Sequence, residues 1–592
     1  MITRTRPFVI TRGKVIFDYS VLYCNTPERL LKSELFFEIV SRFIDKIKAK
    51  RSPLFAFLLE TNPGLGKDEL AEYIVNLFRL LSSYTAEEIV SMNREYQPIL
   101  SEKEALYEFI EELYNYWRKF ERFLYLEAPK RSKYAQSSLH HAQFIQSNDE
   151  FKNLVLNVYR RVSENLTGKN PRVYRQLPAG ANMGMLLEKI DWNCPQTYAH
   201  MKEIPFIRLS LIEPPLILYP VMNKRKGKFE EIQGVTKEML SLNPGEWFCF
   251  PAKVGELTAF IYFHQDFISL GLSLVNLFEI ADYEEIEGKI PDLMLVFGLT
   301  GNLPAGTVFY EDKDNGMLVG LIRHDEDVDY FGYFKKMTLT LHNIVMLKRG
   351  RLPVHGAMVC IKLKDGGAAN VVIIGDSGAG KSETIEAIRT LAGEHICEMK
   401  IIFDDMGSLG LDSKSRVVGF GTEIGAFVRL DDLQPGYAYE EIDRSIFMNP
   451  DKTNARLVMP ITRYHHIVKG YPVDIVLYAN NYEQIDDDHP AIEFFSSPED
   501  ALSVFRSGAR LSKGTTDEKG LVHTYFANPF GAPQRREAHE KQATFYFEKM
   551  FDSGIKVGQI RTRLGIDGFE YTGPRAAAIE LFKVIQSLSS VQ

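Results

Sequence analysis

One octapeptide constrains this chain more than any other feature. GDSGAGKS, Gly375–Ser382, lies between the apolar run VVII and the stretch SETIEAIRTLAG. It satisfies G-x-x-x-x-G-K-[ST] at each defined position: Gly375, Gly380, Lys381 and Ser382. Glycines in such a loop let backbone N–H groups turn inward around phosphate oxygens, and the helix that follows directs its positive end at the same anion. The nucleotide-contacting set is therefore Gly375, Asp376, Ser377, Gly378, Ala379, Gly380, Lys381, Ser382 and Glu383. Lys381 can reach the β- and γ-phosphates, and the Ser382 hydroxyl can ligate a divalent cation. The surroundings predict a buried strand at Val371–Gly375 and a helix over Ser382–Gly393 that ends in glycine. A second strand, KIIFDD (Lys400–Asp405), is expected to stop at two carboxylates, placing Asp404 and Asp405 beside the loop, one of them coordinating a metal directly or through water. This order of elements implies an α/β nucleotide-binding unit.

A second glycine-rich stretch, TNPGLGKDE (Thr61–Glu69), reads as an ordinary turn. Thr61 stands where the first glycine belongs, and Asp68 after the lysine would repel a phosphate.

At 592 residues the chain exceeds the size at which a single core stops growing, so two or three domains are expected. Residues 1–160 read as a helical N-terminal region. Within it Ser101–Ala128 repeats apolar residues at helical spacing, and Ser101 with Glu104 suggests a capping box. Residues 161–330 mix short strand-like runs such as FIRLSLI and PLILYPVM with turns, and Leu166–Gly184 reads as a basic loop. Residues 331–592 form the P-loop nucleotide- and metal-binding domain. The fold class expected overall is mixed α/β.

Hydrophobic residues at 45% and charged residues at 25% fit a soluble globular chain. A net charge of −8 gives no reason to expect nucleic acid or an anionic membrane as partner. Cys24, Cys194, Cys249, Cys360 and Cys397 are scattered singly, without a CxxC pair, which suits a reducing compartment. No secretory signal or bilayer-spanning run is expected, and the cytoplasm is the expected location.

The loop form GDSGAGKSE, with HGA upstream and DD downstream, resembles HPr kinase/phosphorylase. Its neighbours resemble ATP-type phosphoenolpyruvate carboxykinase, a relative in the same P-loop superfamily, from Tyr330 to the C-terminus. YFGYFKKM (Tyr330–Met337) is similar to that family's Y-A-G-E-M-K-K-G segment. This implies Tyr330 near the substrate, Lys335 on substrate or phosphate, and Lys336 as a neutral metal ligand. His355, nineteen residues beyond Lys336, falls at the spacing of the family's metal-binding histidine. With Asp405 it would complete a Lys, His, Asp set for Mn²⁺.

GFGTEIGAFVRLDDL (Gly419–Leu433) resembles F-E-G-G-C-Y-A-K, which puts Glu423 on the glutamate and Arg429 on the lysine that steadies the moving phosphoryl group. TNARLVMP (Thr453–Pro460) resembles E-N-T-R-x-x-Y-P and implies that Arg456 bridges nucleotide and substrate phosphates. SPEDALSVFRSGARLSKGTTDEKG and NPFGAP resemble the family's base-side helix and loop and its C-F-G-A-P-F. Two segments depart. FEYTGPR keeps Arg575 of the adenine-side motif but has Gly568 at the base-stacking arginine. The N-terminal carboxylate-binding motif has no clean counterpart; LTGKNPR offers Lys169, Arg172 and Arg175, with Arg175 as the substrate contact.

The resemblance implies a metal-dependent enzyme that converts oxaloacetate and a nucleoside triphosphate, with ATP first among donors, to phosphoenolpyruvate, CO₂ and the diphosphate. Mg²⁺ and Mn²⁺ are the implied cofactors, a small molecule the implied partner, and Lys335, Lys381, Asp404, Arg429 and Arg456 the catalytic set. Two alternatives stay open. One is a kinase of the HPr-kinase type acting on another hydroxyl, with Asp404 as base. The other is a nucleotide-binding switch or scaffold without turnover.

Overall fold

The computed structural model describes residues 6–128, 137–168, 179–364, 366–430, 441–512 and 520–589. The chain is mixed α/β and divides into two compact units, one formed by Met1–Lys189 with Pro205–Leu216 and the other by Ile190–Ile204 with Ile217–Gln592. Residue 160 lies inside a helix, Ser137–Thr167, and residues 161–330 are shared between the two units.

The first unit carries strands β1 (Phe8–Thr11), β2 (Lys14–Asp18), β3 (Glu121–Glu127), β4 (Met183–Glu188) and β5 (Phe206–Ile212), hydrogen-bonded in that order. The β1–β2 hairpin turns through Arg12 and Gly13, both at positive φ, as a tight two-residue turn requires. Helices α1 (Glu34–Ala49), α2 (Pro53–Thr61), α3 (Lys67–Leu81), α4 (Lys103–Arg118) and α5 (Ser137–Thr167) contribute to one apolar core with β2, β3 and β4.

Three sequence expectations change here. Strands β1–β3 stand within the region read as helical. The periodic stretch Ser101–Ala128 is helix only to Arg118; ERFLYLE becomes β3, buried between β2 and β4 in parallel register, because a short apolar run packs equally well as either element. Arg122 fixes the change. Its guanidinium, 1% exposed, donates to the carbonyls of Trp117, Arg118 and Phe120 at the end of α4 and to Gly180 O at 2.7 Å. Ser101 forms no capping box: its hydroxyl donates back to Gln97 O in a preceding turn, and Glu102 is the residue before α4. TNPGLGKDE joins helix to helix rather than strand to helix, and Glu69 accepts from Gly66 N at 2.7 Å where an anion would sit.

In the second unit, strands β6 (Trp247–Val254), β7 (Leu257–His264), β8 (Leu293–Leu299), β9 (Thr307–Asp312) and β10 (Met317–Arg323) run in the order β6-β7-β8-β10-β9, with β7, β8 and β10 mutually parallel. Helix α6 (Phe331–Lys348) follows. An eight-stranded sheet is then built from β11 (Leu352–Leu363), β12 (Ala368–Ile374), β13 (Ile396–Leu411), β14 (Val417–Gly421), a short β18 (Tyr471–Pro472), β19 (Ile475–Asn480), β20 (Ile492–Phe494) and β21 (Lys556–Arg561). Its order is β18-β14-β13-β11-β12-β19-β21-β20. Between β14 and β18 in sequence, β15 (Gly425–Arg429), β16 (Ile446–Met448) and β17 (Arg456–Pro460) form a separate small sheet.

Strand β12 is buried on both faces, as an apolar run without alternation predicts. Val372 and Ile374 join a core with helix α8 (Arg536–Asp552), while Val371 and Ile373 join another with α7 (Lys381–His395) and α9 (Thr572–Ser589). Helix α7 runs past Gly393 to His395, and β13 runs six residues past Asp405, so neither ends where the sequence suggested. Among the described residues no helix is long and apolar enough to cross a membrane.

Two buried histidines fix the acid response of this unit. Burial pulls His342 of α6 down to about 4, and does the same for His539 of α8, which accepts from the Tyr525 hydroxyl and donates to Pro353 O. In the unfolded chain both protonate near the ordinary value of about 6.5, so their contribution is complete above that pH and is lost as pH falls towards 4, at about 3 kcal/mol each. The thermal unfolding midpoint is expected to drop steadily between pH 7 and about pH 4.5. The drop becomes shallower in His342→Gln and His539→Gln; an unchanged slope in both variants would refute the assignment.

Candidate functional site

Gly375–Gly380 leaves the end of β12 and enters α7 at Lys381, whose first-turn amides have no preceding helical carbonyl to bond. Gly375 N donates to His355 O at 3.0 Å and Ala379 N to Asp376 O at 3.0 Å, which closes the loop. Gly380 adopts φ +95°, and a Cβ there would lie 2.5 Å from Thr562 Oγ1. Both facts demand glycine. Thr562 in turn donates to Ala379 O at 2.8 Å, and Asn481 Nδ2 to Gly378 O at 2.9 Å.

Inside the loop, Asp376 receives its own neighbour's amide, Ser377 N, at 2.8 Å, with Arg510 Nε at 3.1 Å and Thr524 Oγ1 at 3.2 Å. Withdrawal from water opposes its charge, yet His355 and Arg510 hold the carboxyl below its usual value. Lys381 lies back across the loop, Nζ donating to Asp376 O at 3.1 Å.

The acid pair lies within β13, opposite Ala357 and Gly356 of β11. Ser382 Oγ donates to Asp404 at 3.1 Å, so the expected cation ligand of the loop already meets the first carboxylate. Successive strand residues face opposite ways, and the alternation is broken at Asp405, whose φ is +118°. A non-glycine residue there costs about 1–3 kcal/mol. Its carboxylate meets His355 Nε2 at 2.8 Å and Lys335 Nζ at 2.6 Å. Burial works against its charge, but Lys335 and His355 hold Asp405 well below the carboxylate range; Asp404, mainly through loss of water, is raised.

His355 also faces Ala527 O through Nδ1 at 2.5 Å. A neutral imidazole has one N–H, so it cannot satisfy two acceptors. The donor set at this point therefore fits a cation.

Lys335 and Lys336 reach the site from α6. Lys335, 2% exposed, contacts Glu423 at 3.2 Å as well as Asp405. Despite desolvation, the two carboxylates raise its pKa. Glu423, fully buried, is pushed up to about 8, chiefly by loss of water and against the pull of Lys335. Lys336 behaves oppositely. Desolvation and then the charge of Arg225 bring it down to about 8, with Nζ 5.1 Å from the Phe530 ring centroid. Of the two, Lys336 is the one that can become a neutral ligand.

Arg429 and Arg456 are register partners in β15 and β17, two cations set opposite each other. Arg456 also donates to Asn454 Oδ1 and lies over Phe427, which packs on Tyr330. Tyr330, 6% exposed, precedes α6.

The sequence reading missed Arg225. The segment PVMNKRKGK is fastened at four points: Asn454 Nδ2 donates to Asn223 O, Asn449 Nδ2 to Pro220 O, Val221 N to Asp329 Oδ2, and Lys226 N to Tyr333 Oη. Partly buried as a result, Arg225 has a lowered pKa, through desolvation. The density of basic residues around a glycine was the available signal. Arg510, Thr524, Asn481 and Thr562 were missed too; each acts on the loop from far along the chain.

Other expected residues fall elsewhere. Glu383 stands in the first turn of α7. Arg575 is exposed in α9, two residues past Gly573, which rests on Thr562; Gly568 is exposed. Lys169, Arg172 and Arg175 lie outside the described residues. No protein-family model matches this chain, and a search of curated proteins returns no relative.

Gly380→Ala introduces a Cβ against Thr562 in a left-handed backbone, at a cost of about 1–3 kcal/mol. Calorimetric titration with a nucleoside triphosphate is expected to show binding lost in this variant and in Lys381→Ala, with only the glycine variant melting lower. Wild-type affinity in both would remove the loop from nucleotide binding.

Proposed function

We propose that this chain is a phosphoryl-transfer enzyme of the phosphoenolpyruvate carboxykinase type, acting on oxaloacetate and a nucleoside triphosphate. The observation that carries the reading is the adjacency of two couples able to hold a cation, Ser382–Asp404 and His355–Asp405, with the lysine pair of α6 beside them. A simple kinase needs only the first. In the reaction the bond between oxaloacetate and its departing carboxylate breaks, CO₂ leaves, and the electron pair forms an enolate whose oxygen takes the γ-phosphoryl group from the triphosphate.

A divalent cation, Mn²⁺ or Mg²⁺, held by Lys336, His355 and Asp405 would supply Lewis-acid stabilisation of negative charge on oxygen, and a second on Ser382 would belong to the nucleotide. Lys381 exchanges its bond to Asp376 O for phosphate oxygens. Arg429 and Arg456, register partners in β15 and β17, would bear on the phosphoryl charge as it moves. Arg225 takes the role assigned by sequence to Arg175 and receives a substrate carboxylate; its partial burial strengthens that contact. Arg575 is left as the nucleotide-side arginine of α9. The PEP carboxykinase-like fold of the second unit is part of this proposal.

A second reading keeps one observation on its side. Burial raises the Asp404 carboxyl next to Ser382, which would suit a base that accepts a hydroxyl proton in a kinase of the HPr-kinase type.

Purified protein with Mn²⁺ and Mg²⁺ is expected to form phosphoenolpyruvate from oxaloacetate with ATP, GTP or pyrophosphate as tested donors. The product vanishes in Lys381→Ala and His355→Ala. Arg225→Ala lowers kcat/KM for oxaloacetate about thirtyfold, the equivalent of about 2 kcal/mol for one charged hydrogen bond. Absence of product while ATP still binds through Lys381 would defeat the carboxykinase reading and leave the kinase or a non-catalytic nucleotide switch.

A further inference from the structure

The parallel strands β7, β8 and β10 end together at an edge whose side chains the P-loop chemistry does not use. In open sheets the carboxyl ends of parallel strands are where ligands bind. Here β7 ends at His264, and His324 follows the last residue of β10, its backbone N–H donating to Leu299 O of β8 at 2.7 Å. Gly298 of β8 lies between them at φ +101°, and a Cβ at that position would come within 2.8 Å of His264 Cβ. The glycine therefore lets the two histidine-bearing ends approach. Asp266, in the turn after β7, completes the group.

The geometry points to a binding site for one borderline-soft divalent cation, of the Zn²⁺ class, on His264, Asp266 and His324. One ligand atom from each residue lies within 4.8 Å of the others, a span that a single ion with two imidazoles and a carboxylate can bridge. His324 Nε2 is 2.9 Å and His264 Nδ1 3.7 Å from the same oxygen, Asp266 Oδ2. The Asp266 backbone N–H makes a long 3.3 Å bond to His264 Nδ1, which a bound ion would replace. On the other ring nitrogen, Glu246 Oε2 stands 3.7 Å from His264 Nε2. A carboxylate there favours the proton on Nε2, leaves Nδ1 free to ligate, and raises its basicity.

Trp247 and His324 pack edge-on to the His264 ring and fix its plane. The three side chains are 13%, 16% and 17% exposed: ordered, yet open to an ion from solution. Two imidazoles and one carboxylate leave coordination positions for water or a substrate group.

The test is zinc titration of chelator-stripped full-length protein by calorimetry, with His355→Ala as background so that the P-loop site does not contribute. One tight Zn²⁺ per chain is expected there. Adding Asp266→Asn or His324→Gln should weaken it by more than tenfold, and Glu246→Gln by about tenfold, as for loss of an outer-shell partner. Co²⁺ in place of Zn²⁺ should give a visible ligand-field band that His324→Gln abolishes. The proposal is overturned if no zinc binds, or if the isotherm is the same with and without Asp266→Asn. It is equally overturned if these variants lower the melting point while zinc leaves that of the unsubstituted cluster unchanged, because the three residues would then serve only as a hydrogen-bonded turn.

Discussion

The carboxylate of Asp376 ties the P-loop to distant parts of the second unit. Within the loop it takes the Ser377 amide; from outside it takes Arg510 and the Thr524 hydroxyl. Its carbonyl closes the loop through Ala379 and holds Lys381. His355 stands 3.6 Å away, so the same group also bears on the His355–Asp405 couple. A buried charge is tolerable only when fully paired, and here the pairing residues come from segments more than a hundred positions apart. Loop shape is therefore a property of the folded unit rather than of the octapeptide.

Around this anchor, charge is arranged in two zones. Asp405 and Glu423 share the Lys335 ammonium, Asp404 meets the Ser382 hydroxyl, and burial raises the Glu423 carboxyl. On the other side Arg225, Arg429 and Arg456 lie near Tyr330 and Phe427. The first zone attracts cations, the second anions. The proposed phosphoryl transfer would use both, because a metal-bound nucleotide and an anionic acceptor must be brought together.

Much of the P-loop neighbourhood could be read from the chain, since strand β12, the glycines and the lysine–serine pair carry local signals of periodicity and composition. Asp404 and Asp405 were read from the strand that carries them, whereas Lys335, Lys336 and His355 were named through resemblance, and spacing alone could not have aimed them at Asp405. What escaped was non-local. Arg225 owes its position to Asn449, Asn454, Asp329 and Tyr333, none within a hundred residues of it. β3 was taken for helix because a buried parallel strand shows no alternation, and β13 was cut short because two acids look like an end. The strain that turns Asp405 is invisible in any pattern of residue types. The cluster at His264 was missed for a related reason: its members belong to different strands and meet only at a shared edge.

The left-handed backbone at Asp405 has an evolutionary consequence. Glycine or asparagine would suit that φ better than aspartate, so drift under selection for stability alone leads away from the carboxylate. An aspartate there runs against the local preference of the fold. In a lineage that had stopped using the site, this position would be among the first to relax, and its identity would serve as a marker of continued activity among related sequences.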